Sequence, residues 1–155
     1  MPRRTREFGP GALTHLTAHG VDDQPIFRAA LDQLELLQLL KKIAKRIDWQ
    51  IITWCFMTTH YHLLVAVGRD DRVPWAMQTV NSVYAREFNA RHRRRGHLFG
   101  ERYTDTQVGT EKHLDGAIAY ILENPIRAGL VRRIEDWPWS GDGALEPRFL
   151  PPAGG

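Results

Sequence analysis

Apolar residues recur along this 155-residue chain at two different periods. Phe27, Leu31, Leu34, Leu37, Leu40, Ala44 and Ile47 fall three and four apart, which is one face of a helix expected from about Ile26 to Ile47, with Asp22 or Asp23 able to cap it. Lys41, Lys42, Lys45 and Arg46 lie in its last turns, where cations suit the helix dipole. Met77, Val80, Tyr84 and Phe88 mark a second helix from about Val73 to Arg94, with Gly96 as its stop. Leu114, Ala117, Ile118, Ile121 and Leu122 mark a third, capped by Thr110 and running from Glu111 to about Asn124. Pro125 disfavours helical geometry at the residue before it and is expected to end this helix at Asn124.

Between the helices the pattern shortens. Leu13 to Ala18 reads as a strand ending in a His19-Gly20 turn, and Tyr103 to Val108 as a weakly patterned edge strand. Trp49 to Met57 is apolar on both faces, as in a strand covered on two sides. Thr59 to Val65 follows, with Tyr61, Leu63, Val65 and Val67 as an apolar row. The order strand, helix, strand, strand, helix, strand, helix predicts an α+β fold: a ferredoxin-like antiparallel sheet with helices on one side. Residues 1–11 read as a basic arm, 12–135 as a single domain and 136–155 as an irregular tail, flexible beyond about Pro147.

Composition narrows this picture. The length suits one domain with a real core. No apolar run approaches a membrane span, and no signal-like stretch follows the basic N-terminus. The single cysteine, Cys55, excludes a disulfide framework, reads as core packing and fits a reducing cytoplasm. A net charge of +3 is mild, but the arginines cluster. Arg3, Arg4 and Arg6 lie in the arm, Arg91, Arg93, Arg94 and Arg95 end the second helix, and Arg127, Arg132 and Arg133 follow the third. Such clusters are an electrostatic footprint for nucleic acid, and charge alone fits a solubilising surface equally well. Four arginines in five residues exceed what a helix end needs, which favours phosphate contact.

The chemistry starts at Thr59-His60-Tyr61-His62-Leu63-Leu64-Val65. A strand points alternate side chains to opposite faces, so His60 and His62 emerge together with Cα atoms roughly 6.5–7 Å apart and can converge on one divalent metal. Histidine triad hydrolases want a third histidine at the next alternate position, and Leu64 stands there. On the third helix Tyr120 and Asn124 are one turn apart, and His113 falls on the same face. If that helix crosses the histidine strand, the Asn124 oxygen becomes a third ligand and Tyr120 lies beside the metal. Mg²⁺ or Mn²⁺ there would polarise a phosphodiester, and Tyr120 could attack it in line. The plainer alternative makes Tyr120 a packed aromatic and Asn124 a helix cap.

These residues match a family pattern. Met57-Thr58-Thr59-His60-Tyr61-His62-Leu63-Leu64-Val65 resembles the Met-Pro-Asn-His-x-His-Leu-Leu signature of the single-tyrosine HUH transposases. Tyr120 to Val131 resembles their tyrosine-helix signature. Gly96-His97-Leu98-Phe99, Arg102-Tyr103 and Trp137-Pro138-Trp139-Ser140 are similar to the branch associated with repetitive extragenic palindromes (REP). The resemblance covers roughly residues 12–140, in the family's order and spacing. It implies an HUH nuclease domain that cuts and rejoins single-stranded DNA beside a small hairpin through a 5′-phosphotyrosine. Tyr120 is then the nucleophile, and His60, His62 and Asn124 hold Mg²⁺ or Mn²⁺. Arg91, Arg93, Arg94, Arg95, Arg102 and Arg127 would grip DNA phosphates, and the arm with Arg3, Arg4 and Arg6 would read bases beside the hairpin. A bacterial cytoplasmic protein at the nucleoid, monomer or homodimer, is implied.

Several positions depart from the pattern. Thr58-Thr59 replaces Pro-Asn, the first strand lacks an arginine-glycine ending, and Ser140-Gly141 stands where a second serine is usual. None touches the proposed chemistry. His15 in the first strand could approach the site or make a structural hydrogen bond. Two competing readings stay in view: a non-catalytic hairpin-binding protein derived from a transposase, and a metal phosphoesterase in which water attacks.

Overall fold

The computed structural model describes residues 12–68 and 72–152. In chain order the elements are β1 (Leu13–His19), α1 (Ala30–Ile47), β2 (Gln50–Phe56), β3 (His60–Ala66), α2 (Val73–His92), β4 (Thr104–Val108), α3 (Glu111–Arg127) and β5 (Ser140–Asp142). The strands form one sheet in the order β4-β1-β3-β2-β5, every neighbouring pair antiparallel. Its first four strands with α1 and α2 give the ferredoxin-like arrangement expected from the sequence, with β3 inserted between β1 and β2.

The two faces of the sheet bury different sets. Leu16, Trp54, Phe56, Tyr61, Leu63 and Val65 join Leu36, Leu40, Val80, Tyr84 and Phe88 in the main core, under α1 and α2. Leu64, Cys55 and Val108 point the other way and join Ala117 and Ile121 of α3 in a smaller core. The expectation of helices on one side is therefore corrected: α3 covers the opposite face from α1 and α2. Strand alternation shows which residues share a face but not which helix covers it. A bulge between Ile51 and Thr53 shifts the β2 register, so that Trp54 faces the main core and Cys55 pairs with His62.

Three boundaries differ from the sequence expectation. α1 starts at Ala30, and Asp32, not Asp22 or Asp23, caps it: its Oδ2 accepts the backbone N–H groups of Arg28 (2.8 Å) and Ala29 (3.0 Å). Asp22 and Asp23 instead adopt left-handed backbone, φ 51° and 54°, in a single 3₁₀ turn. α3 runs through Pro125 to Arg127, because proline's fixed φ fits a helix and only one backbone hydrogen bond is forfeited. The closing bonds come later, Ala128 N–H to Asn124 O at 3.0 Å and Leu130 N–H to Pro125 O at 2.9 Å, so Asn124 sits inside a turn. The residues after 136 are not irregular throughout: β5 adds a strand beside β2, Trp139 is buried, and the Trp137 indole donates to Phe56 O at 2.9 Å.

Candidate nucleic-acid cleavage site

The register of β1 on β3 builds one wall of the site. Thr17 pairs with His62 and His19 with His60, so side chains from both strands share the α3 face. The His60 and His62 rings lie 5.0 Å apart, centroid to centroid, as strand alternation requires. His19 stacks on His60 at 4.6 Å and 16°. His15 Nε2 lies 2.9 Å from His62 Nδ1, and the Thr17 hydroxyl lies 3.1 Å from the same nitrogen.

α3 builds the other wall. Ala117 and Ile121 seat it on Leu64 and Val108, which carries Tyr120 and Asn124 over the histidines. The Asn124 amide nitrogen is 2.8 Å from His62 Nε2. The Tyr120 ring is 6.0 Å from the His62 ring and 6.1 Å from the His15 ring, and the tyrosine is half exposed. Arg127 lies over Tyr120, its guanidinium carbon 4.3 Å from the ring centroid, and also donates to Tyr120 O. A solvent-facing phenol beside the buried His62 and the half-buried His60 can meet a phosphodiester that approaches from outside.

Electrostatics keep the imidazoles neutral. Burial, reinforced by His15 and His60, pushes His62 down to about 2. Burial and His19, opposed by Asp23, push His60 down to about 4. His15 is lowered by burial and by the charge of His113. Neutral imidazoles have a free lone pair at neutral pH, the form a cation requires. Among the described residues no three His, Cys, Asp or Glu side chains converge as a cation site. Beside His60 and His62 stands the Asn124 side-chain amide, its nitrogen 2.8 Å from His62 Nε2, and its oxygen is the atom that could serve a cation. The donor set of two imidazoles and an amide oxygen fits a divalent ion that keeps open positions for phosphate oxygens. Cys55 is no competitor, since burial raises its thiol to about 12.

Comparison with known proteins gives the family and the fold. The family model described as "Transposase IS200 like" matches residues 13–124. The chain belongs to this family. A Haemophilus influenzae protein named as a REP-associated tyrosine transposase is 22% identical over 116 residues, 68% of this chain; the match spans 66% of that relative's length. A solved REP-associated tyrosine transposase bound to a REP hairpin superimposes with a TM-score of 0.72 at 18% identity, over 90% of this chain and 82% of that one. A crystal structure of a Deinococcus radiodurans protein named as a transposase gives 0.54 at 16% identity, over 79% and 96% of the two chains. At these identities the structural likeness establishes the fold.

The arginines of this chain divide by what already holds them. Arg91 donates to Asp32 at 2.8 Å and to Glu35 at 2.9 Å, and it ties the end of α2 to the start of α1. Arg94 is spent largely on its own loop, reaching Asn89, Gly96 O, His97 O and Gln24. Arg93, at the left-handed cap of α2, and Arg95 are exposed. Arg102 lies over Tyr103 at 5.3 Å and lines a cleft of about 540 Å³ that also includes His19, Asp22, Asp23, His97 and Thr104. Arg3, Arg4 and Arg6 lie outside the described residues. Sequence reading missed Thr17 and His19 as members of the site. The signal was present in the His15-Leu16-Thr17-Ala18-His19 alternation, the same period that exposed His60 and His62.

Proposed function

We propose that this transposase cleaves and rejoins single-stranded DNA beside a small hairpin, with Tyr120 as nucleophile and His60, His62 and Asn124 holding Mg²⁺ or Mn²⁺. The observation that carries this reading is the position of α3, which sets Tyr120 and Asn124 over the buried His62. The bound ion would supply Lewis-acid polarisation of the scissile phosphate. Tyr120 Oη forms a bond to phosphorus while the bond to the 3′ oxygen breaks. The phenolic proton passes to solvent and the departing oxygen takes one up, leaving a 5′-phosphotyrosine and a free 3′-hydroxyl. One phosphodiester is exchanged for another, so rejoining needs no outside energy source. Arg127, held over the Tyr120 ring, restricts the rotamers of the nucleophile and brings positive charge to where a phosphate must approach.

Hairpin DNA as partner is supported by the REP hairpin bound to the structural relative. Exposed Arg93 and Arg95, with Arg102 at its cleft, are proposed to meet backbone phosphates, and the arm with Arg3, Arg4 and Arg6 to read adjacent bases. The deciding experiment incubates the protein with end-labelled single-stranded DNA carrying candidate hairpins and Mg²⁺ or Mn²⁺, then resolves the products on a denaturing gel. A covalent protein–DNA adduct is expected for the wild type and absent for Tyr120→Phe and for His60→Ala with His62→Ala. Cutting that survives Tyr120→Phe would move the assignment to water-mediated hydrolysis. Tight hairpin binding without cutting would leave a recognition protein.

A further inference from the structure

We propose that Thr17 and His15 are positioning residues that fix the tautomer of His62, so that its Nε2 lone pair faces the cation; this rests on the reading of His62 as a metal ligand. A neutral imidazole has one N–H and one lone pair. If Nε2 is to ligate, Nδ1 must carry the hydrogen, and a buried N–H must find an acceptor. Two groups that can accept it converge on His62 Nδ1: His15 Nε2, in its unprotonated form, at 2.9 Å and the Thr17 hydroxyl at 3.1 Å. Those two atoms are 3.5 Å from each other, so the Thr17 hydroxyl can accept from His62 and turn its own hydrogen toward His15.

The far side of the ring agrees. Asn124 Nδ2 stands 2.8 Å from His62 Nε2, a contact that the lone pair of the Nδ1–H form can accept. The tautomer that the β1 residues select is thus the one that α3 meets. The register explains why Thr17 can do this. It lies directly opposite His62 on the neighbouring strand and is buried, 8% exposed, among contacts that suit a branched side chain. Valine would fill the same space, so packing alone gives no reason for a hydroxyl here. A buried hydroxyl costs free energy unless it is bonded, and its bonds go to the two imidazoles.

The test uses the full chain, stripped of metal. Mn²⁺ is titrated calorimetrically into the wild type, Thr17→Ser, and the double variant Thr17→Val with His15→Phe, and long-range ¹H–¹⁵N imidazole spectra report the His62 tautomer. The wild type is expected to show Nδ1–H. The double variant is expected to bind Mn²⁺ about tenfold or more weakly, in line with the loss of outer partners at other metal sites, while Thr17→Ser retains wild-type affinity. Backbone amide spectra check the fold, and if the double variant does not fold, Thr17→Val and His15→Phe singly are each expected to lose part of the affinity. Unchanged Mn²⁺ affinity in the variants, or an Nε2–H tautomer in the wild type, overturns the proposal while leaving the metal reading in place. If the wild type takes up no Mn²⁺, the metal reading falls, and tautomer control is decided by whether the Nδ1–H form is lost in the double variant.

Discussion

Asn124 meets His62 at 2.8 Å although 62 positions separate them in the chain. The contact joins the last turn of α3 to the centre of β3 and puts an amide beside an imidazole proposed to hold the cation. Asn124→Ala is expected to weaken Mn²⁺ binding by about tenfold or more, whereas Asn124→Asp keeps an oxygen donor and retains binding. Calorimetric titration separates these outcomes. Wild-type affinity in Asn124→Ala would remove Asn124 from the ligand set.

Arg127 acts on Tyr120 through the face of its ring and through its backbone carbonyl. Arg127→Lys keeps the charge and loses the planar fork that makes both contacts at once. The expected loss is about 1 kcal/mol, roughly fivefold in the rate of covalent adduct formation at saturating DNA. Equal rates for Arg127→Lys and the wild type would reduce Arg127 to a point charge.

The depressed histidines make metal-free stability depend on pH. His60 and His62 remain neutral in the fold down to about 4 and about 2, but each takes up a proton near 6.5 when unfolded. Between 6.5 and 4 the unfolded chain binds more protons, so stability falls as the pH is lowered. Melting temperatures recorded with chelator should drop across that window. His62→Gln should drop less steeply, and an unchanged slope would mean that His62 is not buried neutral.

A second, lower window belongs to Asp32. Burial raises its carboxyl, but the Arg28 N–H, His92, Arg91 and the Ala29 N–H together outweigh burial and leave it below its usual value. Its stabilisation is present above the unfolded value near 3.8 and disappears as the pH falls through the lowered folded value. Asp32→Ala at neutral pH leaves Arg91 with Glu35 alone, removes the partner of His92 and frees the Arg28 and Ala29 N–H groups, and is expected to cost about 3 kcal/mol in denaturant unfolding. The melting temperature of this variant should depend less on pH below 4.

The C-terminal segment is structural as far as Arg148, whose N–H donates to Pro138 O at 2.9 Å. Trp139 is buried, its carbonyl accepts the Phe56 N–H at 2.8 Å, and Leu145 is buried in the same core. Trp139→Ala is expected to destabilise by about 3 kcal/mol. A loss below 1 kcal/mol would show that β5 is only laid on the edge of β2.

The sequence by itself determined whatever depends on local period. Alternation brought His60 and His62 onto one face, and spacings of three and four fixed the helices and put Tyr120 and Asn124 one turn apart, because strand and helix geometry repeat over a few residues. The same alternation carried His15, Thr17 and His19, but no local rule tells which second strand lies beside His62. That depended on the β1–β3 register. Only the tertiary structure decided that α3 crosses the face opposite α1 and α2, that β5 joins β2, and that Arg91 is engaged by Asp32 and Glu35. Each of these is a contact between segments far apart in the chain, chosen by the packing of whole faces and the pairing of buried charge.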